Sequence, residues 1–130
     1  MHTTRKALIV DDAMEFRLLL GSMFRELGLE SVTVRDGETA LAMAREERPA
    51  IICVDLMLPT LSGLEVCAAL RQRPETADVP IVMVSARRFP QDRAAARLAG
   101  ADAYVTKPVD RTDFANQVRA LLWQRQQTEA

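Results

Sequence analysis

Five side chains in this 130-residue sequence stand out by type and place: Asp11, Asp12, Asp55, Ser85 and Lys107. Each ends or follows a short apolar run, where the chain leaves the interior and meets solvent. Carboxylates gathered at one such edge repel one another, and at least one takes up a proton unless a cation intervenes. Hard carboxylate oxygens suit Mg²⁺, which takes one or two carboxylates and keeps several waters. A lysine ammonium nearby eases the repulsion before any metal arrives. A carboxylate is also a nucleophile that can form an aspartyl phosphate. Such a transfer needs mainly positioning and charge neutralisation, which a metal, a lysine and a hydroxyl supply. The basic residues are 15 Arg and only 2 Lys, Lys6 and Lys107. In a chain so biased toward Arg, an interior Lys points to a compact charge on a flexible stem, a task a planar fork does not match.

Taken singly, these residues have ordinary readings. Asp11-Asp12 alone is a solvated turn with a helix N-cap. Ser85 alone is a strand-end hydroxyl, Lys107 a surface residue and Tyr104 half-buried packing. Cys53 and Cys67 sit in apolar runs and read as core, and His2 falls in an N-terminal tail read as frayed. The joint placement of the acids, the hydroxyl and the lysine carries the chemistry.

The elements that position them follow from hydrophobic periodicity. Ala7-Leu8-Ile9-Val10 is a compact apolar run that stops at Asp11-Asp12. Residues 13–27 carry Phe16, Leu19, Leu20, Met23, Phe24 and Leu27 as a helical stripe, and Gly28 ends it. Ser31–Val34 alternates and is β-branched, a strand. Asp36-Gly37 opens a second helix, which Pro49 closes. Ile51–Val54 is a buried strand ending on Asp55; Pro59 and Gly63 punctuate a loop before a helix through Val66, Ala69 and Leu70. Pro80–Val84 is a fourth strand ending at Ser85, and residues 91–99 form an Ala- and Arg-rich helix stopped by Gly100. Ala103–Val105 is a short fifth strand before Lys107-Pro108, and a last helix from about Arg111 carries Phe114, Val118, Leu121 and Leu122. Five β-α units with continuous apolar strands predict a doubly wound five-stranded parallel sheet covered on both faces. In such sheets the working residues lie beyond the carboxyl ends of the strands, at the switch point of the winding. The five selected side chains fall at those ends.

Composition agrees with one globular domain over 1–130, with a core of about 6–123 and short tails. Hydrophobic residues are 48% and charged residues 27%, with a formal charge of -1. That balance provides no electrostatic footprint for direct nucleic acid or anionic lipid binding. Two cysteines are too few for a disulfide framework, so a reducing, cytoplasmic setting is expected. The apolar runs fall far short of the roughly 18 residues of a membrane span. The start, MHTTRKALIVDD, has too short an apolar run for a signal peptide.

At this point the motifs match a family. The stretches LIVDD at 8–12, VDLMLPTLSG at 54–63, VSA at 84–86 and GADAYVTKP at 100–108 stand in order. From about Lys6 to Leu122 the chain resembles a receiver domain of the response regulators of two-component signalling. The resemblance implies the (βα)5 flavodoxin-like fold, with Asp55 as phosphoacceptor. It implies Mg²⁺ held directly by Asp12, largely through water by Asp11, and by Asp55 and the backbone carbonyl of Met57. Ser85 would bond the phosphoryl group, Lys107 would pair with it, and Tyr104 would be the aromatic switch. The Lys107–Pro108 peptide is expected cis. Met57 and Arg87, two beyond the acceptor and two beyond the hydroxyl, occupy positions that tune dephosphorylation in the family.

The implied function is a phosphorylation-dependent signalling switch, not an enzyme acting on a separate substrate, although it assists its own phosphorylation and dephosphorylation. Its donor would be a sensor histidine kinase or a histidine phosphotransfer protein, and its output a downstream protein target; no output domain is read in this chain. The alternative is a scaffold of the same fold that works without phosphorylation. An aspartyl phosphatase of the haloacid dehalogenase type needs a second acid two residues after the nucleophile, and position 57 is Met. A nucleotide-binding loop is excluded because Val10 is followed by DDAMEF, with no Gly-rich turn. Two surface expectations complete the reading. Phe16, Leu20, Met23 and Leu27 turn to the core, which leaves Met14 and Leu18 exposed as a contact for a helical phosphodonor. Trp123 falls away from the core face of the last helix, as an anchor for a partner or a homodimer.

Overall fold

The computed structural model describes residues 5–129; His2 and the tail around it lie outside the described residues. Strands β1 (Lys6–Val10), β2 (Glu30–Val34), β3 (Ile51–Asp55), β4 (Ile81–Ser85) and β5 (Ala103–Thr106) alternate with helices α1 (Met14–Glu26), α2 (Gly37–Glu47), α3 (Gly63–Arg71), α4 (Pro90–Ala99) and α5 (Arg111–Glu129). All strand pairs are parallel, in the order β2-β1-β3-β4-β5. The winding therefore reverses beside β1, and the carboxyl ends of β1 and β3 lie next to each other.

The strand period of two sorts the core into two layers. Leu8, Val10, Ile52, Val54, Ile81 and Met83 face α2, α3 and α4, where Ala40, Ala44, Val66, Leu70 and Ala96 cover them. Ala7, Ile9, Ile51, Cys53, Val82 and Val84 face α1 and α5, where Leu20, Met23, Phe24, Phe114, Val118 and Leu122 cover them. Phe24 and Phe114 meet edge to face at 5.2 Å and 73°, which joins α1 to α5. Burial on both faces explains why the strands read as unbroken apolar runs.

Local signals set the ends of the helices. The Asp36 carboxylate accepts the Thr39 N–H at 2.8 Å and caps α2. Ser62 and Glu65 form a reciprocal capping box at the start of α3. Gly63 is required by close approach, because a Cβ there would collide with the Asp55 carbonyl and the Leu56 backbone. The N-terminus of α3 is thereby packed directly against the residue that ends β3.

The strand and helix bounds differ from the sequence reading mainly at ends. β2 begins at Glu30, and α5 continues past Leu122 to Glu129. Among the described residues, no helix is long and apolar enough to cross a membrane.

Candidate functional site

Because β1 and β3 are neighbours, the residues leaving their ends meet. Asp11 follows β1 and is 1% exposed; Asp55 ends β3 and is 6% exposed. The two carboxylates are held in the same way. Asp11 Oδ1 accepts the Ala13 N–H at 2.9 Å, and Asp55 Oδ1 accepts the Met57 N–H at 2.9 Å. Each Oδ2 then faces Lys107, whose Nζ donates to Asp11 at 2.9 Å and to Asp55 at 3.0 Å. Lys107 arrives from beyond β5, and its backbone N–H donates to the Ser85 carbonyl at 2.8 Å. The peptide bond between Lys107 and Pro108 is cis. The Arg17 guanidinium donates to the Asp11 carbonyl at 2.9 Å and ties α1 to the same turn.

The electrostatics follow from burial and pairing. Burial pushes the Asp55 carboxyl above the usual aspartate value; the Met57 N–H and the Lys107 ammonium pull it back only in part. Burial also works against the charge of Lys107, but its hydrogen bonds to Asp11 and Asp55 outweigh that and hold its pKa above the ordinary lysine value. The two thiols take no part in this chemistry. Burial drives Cys53 far up and Cys67 to about 11, so both stay protonated at neutral pH.

Asp11, Asp12 and Asp55 each offer a carboxylate oxygen, and these oxygens lie within 4.8 Å of one another. Two of the acids are buried and Asp12 is exposed. An all-oxygen donor set closed on the protein side and open at Asp12 fits a hard dication that keeps part of its water shell. Met57 stands in the loop beside it with its side chain exposed.

Ser85, fully buried at the end of β4, anchors a second network. Its Oγ accepts the Arg87 N–H at 3.2 Å. Arg87 Nε donates to Asp92 Oδ1 at 2.9 Å, and Asp92 Oδ2 accepts the Phe89 N–H at 3.2 Å at the start of α4. The Tyr104 hydroxyl donates to the Arg87 carbonyl at 2.8 Å, and the Arg93 guanidinium lies 5.1 Å from the centre of the Tyr104 ring. Arg88 donates to the Lys107 carbonyl at 3.0 Å. The structure thus gathers Asp11, Asp12, Asp55 and Lys107 at one point. Ser85 is joined to them through the Lys107 backbone, and Tyr104 bonds the loop after β4 rather than the acids. Arg88, in the loop before α4, and Asp92, in the first turn of α4, escaped the sequence reading, because apolar periodicity does not mark a polar side chain that bonds a loop.

The surface residues fall as read, with one exception. Met14 is 63% exposed, Leu18 67% and Trp123 61%. Phe16, read as core, is only half-buried and belongs to neither apolar layer. The Lys107 Nζ lies 3.9 Å from the centre of its ring. An aromatic four residues past an acidic pair was the available signal, but periodicity cannot separate a core position from one beside a site.

The family model for the response regulator receiver domain matches residues 7–119. A probable transcriptional regulator of Cyanophora paradoxa is 37% identical over 91% of this chain and 48% of its own length. The phosphate regulon transcriptional regulatory protein PhoB of Rhizobium meliloti is 37% identical over 90% of this chain and 52% of its own. The chain therefore spans about half the length of these two relatives. Protein PilG of Pseudomonas aeruginosa is 30% identical over 88% of this chain and 85% of its own. Among solved structures, the chemotaxis response regulator CheY4 of Vibrio cholerae superposes with a TM-score of 0.85 at 27% identity, covering 92% of this chain and 99% of that one. The receiver domain of a sensor histidine kinase from Pseudomonas aeruginosa, solved with magnesium coordinated in its active site cleft, gives 0.84 at 27% identity over 92% and 98%. With the parallel sheet, the paired buried acids and their shared lysine already in place, the chain belongs to the response regulator receiver domain family of two-component signalling.

Proposed function

We propose that residues 1–130 form a single receiver domain that works as a phosphorylation-dependent switch, with Asp55 as the acceptor. One observation carries this reading: a single ammonium, from Lys107, bridges two buried carboxylates at adjacent strand ends. Asp55 Oδ2 attacks the phosphorus of a phosphohistidine. The new P–O bond forms as the P–N bond breaks, and the electron pair leaves on the imidazole nitrogen. Lys107 faces the oxygen that gains the group and stays to pair with it. Ser85 has its Oγ lone pair on Arg87, so its O–H is available to donate to the phosphoryl group. Asp11, Asp12, Asp55 and the Met57 carbonyl would hold Mg²⁺, which when bound supplies charge neutralisation for the transferring oxygens.

The donor is a sensor histidine kinase or a histidine phosphotransfer protein, docking on α1 at Met14 and Leu18. Output runs through Ser85 and Tyr104 to a downstream protein target on the surface of α4, β5 and α5. Trp123, exposed beside Arg5, Glu26 and Arg119, offers an anchor for that target or for a second copy of the chain. The chain turns over no separate substrate; it assists only its own phosphorylation and dephosphorylation. Two free, buried cysteines suit a cytoplasmic setting.

The test is phosphoprotein analysis after mixing with acetyl phosphate and Mg²⁺. Wild type should take one label and Asp55→Asn none. An unlabelled wild type would leave a phosphorylation-independent scaffold of the same fold as the better account.

A further inference from the structure

The Lys107 ammonium has three N–H bonds. It donates to Asp11 Oδ2 at 2.9 Å and Asp55 Oδ2 at 3.0 Å, and Nζ also stands 3.9 Å from the centre of the Phe16 ring. Its side chain is only 11% exposed. Phe16 lies on the first turn of α1, half-buried, and packs in neither of the two apolar layers. A large aromatic side chain at a site's edge, outside the core, needs an account other than core packing.

We propose that Phe16 is a positioning residue of the acceptor site, whose ring face holds the Lys107 ammonium between Asp11 and Asp55. The negative face of an aromatic ring attracts a cation within about 6 Å of its centre, and the attraction grows when water is kept out. Lysine needs such help because its charge rides on a flexible four-carbon stem. Its two carboxylate partners are also the groups that a dication and a phosphoryl group engage. Of the three contacts, the ring is the one that this chemistry does not draw upon. It keeps the ammonium in reach of the acceptor while the oxygens change partners. An aliphatic side chain of similar size would exclude water as well but would not attract the charge. The effect on phosphorylation rests on the acceptor role proposed for Asp55; the clamp itself does not.

Two readouts separate these statements. The sequence has only two lysines, Lys6 and Lys107. Protein carrying ¹³C-lysine therefore shows two sets of ε-CH₂ signals. Lys6 pairs with Glu47 and serves as an internal reference for folding. In wild type the Lys107 ε-protons should be shifted upfield by the ring current. Phe16→Tyr should keep that shift, and Phe16→Leu should lose it while the Lys6 signals stay in place. With saturating acetyl phosphate, Phe16→Leu should be labelled about 3- to 10-fold more slowly, with KM little changed, and Phe16→Tyr should restore the wild-type rate. Phe16→Met supplies a second non-aromatic side chain if Phe16→Leu does not fold. Lys107 signals without a ring-current shift in wild type would overturn the clamp. A lost shift with an unchanged labelling rate would overturn the positioning role. An unlabelled wild type would overturn the acceptor reading instead, and the ring-current shift would still decide the clamp.

Discussion

The Tyr104 hydroxyl donates to the Arg87 carbonyl at 2.8 Å, tying β5 to the loop that leaves Ser85. The Tyr104 ring is half-buried and packs against the α2–α4 layer, so in the proposed switch this bond holds the ring to the loop. Tyr104→Phe removes the bond, which is worth about 1 kcal/mol. Amides of residues 86–92 should then exchange with deuterium about fivefold faster without any phosphoryl group. Phosphorylation should also change target affinity less in Tyr104→Phe than in wild type. Unchanged protection in that segment would show that the bond does not restrain the loop.

Ser85, proposed to bond the phosphoryl group, reaches the same loop, because its Oγ accepts the Arg87 N–H at 3.2 Å. Ser85→Ala should still accept label on Asp55, yet phosphorylation should no longer change target affinity. Wild-type coupling in the phosphorylated variant, measured by target titration, would remove Ser85 from the output path.

The proposed metal site predicts two opposite changes. Asp12→Ala should weaken Mg²⁺ binding by at least about tenfold, since even outer-shell partners of a metal carry that much. Lys107→Met should strengthen it, because the ammonium that now engages Asp11 Oδ2 and Asp55 Oδ2 is gone. Calorimetric titration reads both, and equal affinity in wild type and Asp12→Ala would refute the ligand assignment.

The raised pKa of Asp55 has a defined sign for stability. The native state binds that proton more tightly than the unfolded chain does, so at neutral pH the ionised group opposes folding. Asp55→Asn should therefore unfold at a higher temperature than wild type at pH 7. The gain should shrink as pH falls through the native pKa of Asp55, where wild type becomes neutral as well. Lys107 acts in the other direction: its raised pKa stabilises the fold through neutral pH, and that contribution is lost as pH rises through its native value. Thermal melts from pH 4 to about pH 11, the span these shifts imply, would show both limbs. A lower melting temperature for Asp55→Asn at pH 7 would contradict the first.

Leu18 and Met14 are exposed on α1, and Leu18 borders a groove with Arg17 and Arg25. Leu18→Glu should slow transfer from the cognate kinase at least about tenfold, the scale of losing a buried apolar anchor. Labelling by acetyl phosphate should be unchanged. Equal loss with both donors would locate the damage in the fold rather than in docking.

Much of this molecule was legible from the chain alone. Unbroken apolar runs require strands buried on both faces, and amphipathic helices between them require a parallel sheet. Those two facts place Asp11, Asp12, Asp55, Ser85 and Lys107 at carboxyl ends before any coordinate is known. Tertiary structure decided which ends adjoin. Lys107 reaches Asp55 across 52 positions of sequence and Asp11 across 96, and only the neighbouring of β1 and β3 lets one ammonium serve both. It also decided that Phe16 leaves the core for Lys107, and that Arg87, Asp92 and Tyr104 close a network on the loop after β4. The reason is physical. Burial of apolar surface has no direction, so a pattern of residue types suffices to foretell it. Ion pairs, hydrogen bonds and ring–cation contacts need particular atoms within a few ångströms, and that depends on how separate elements pack.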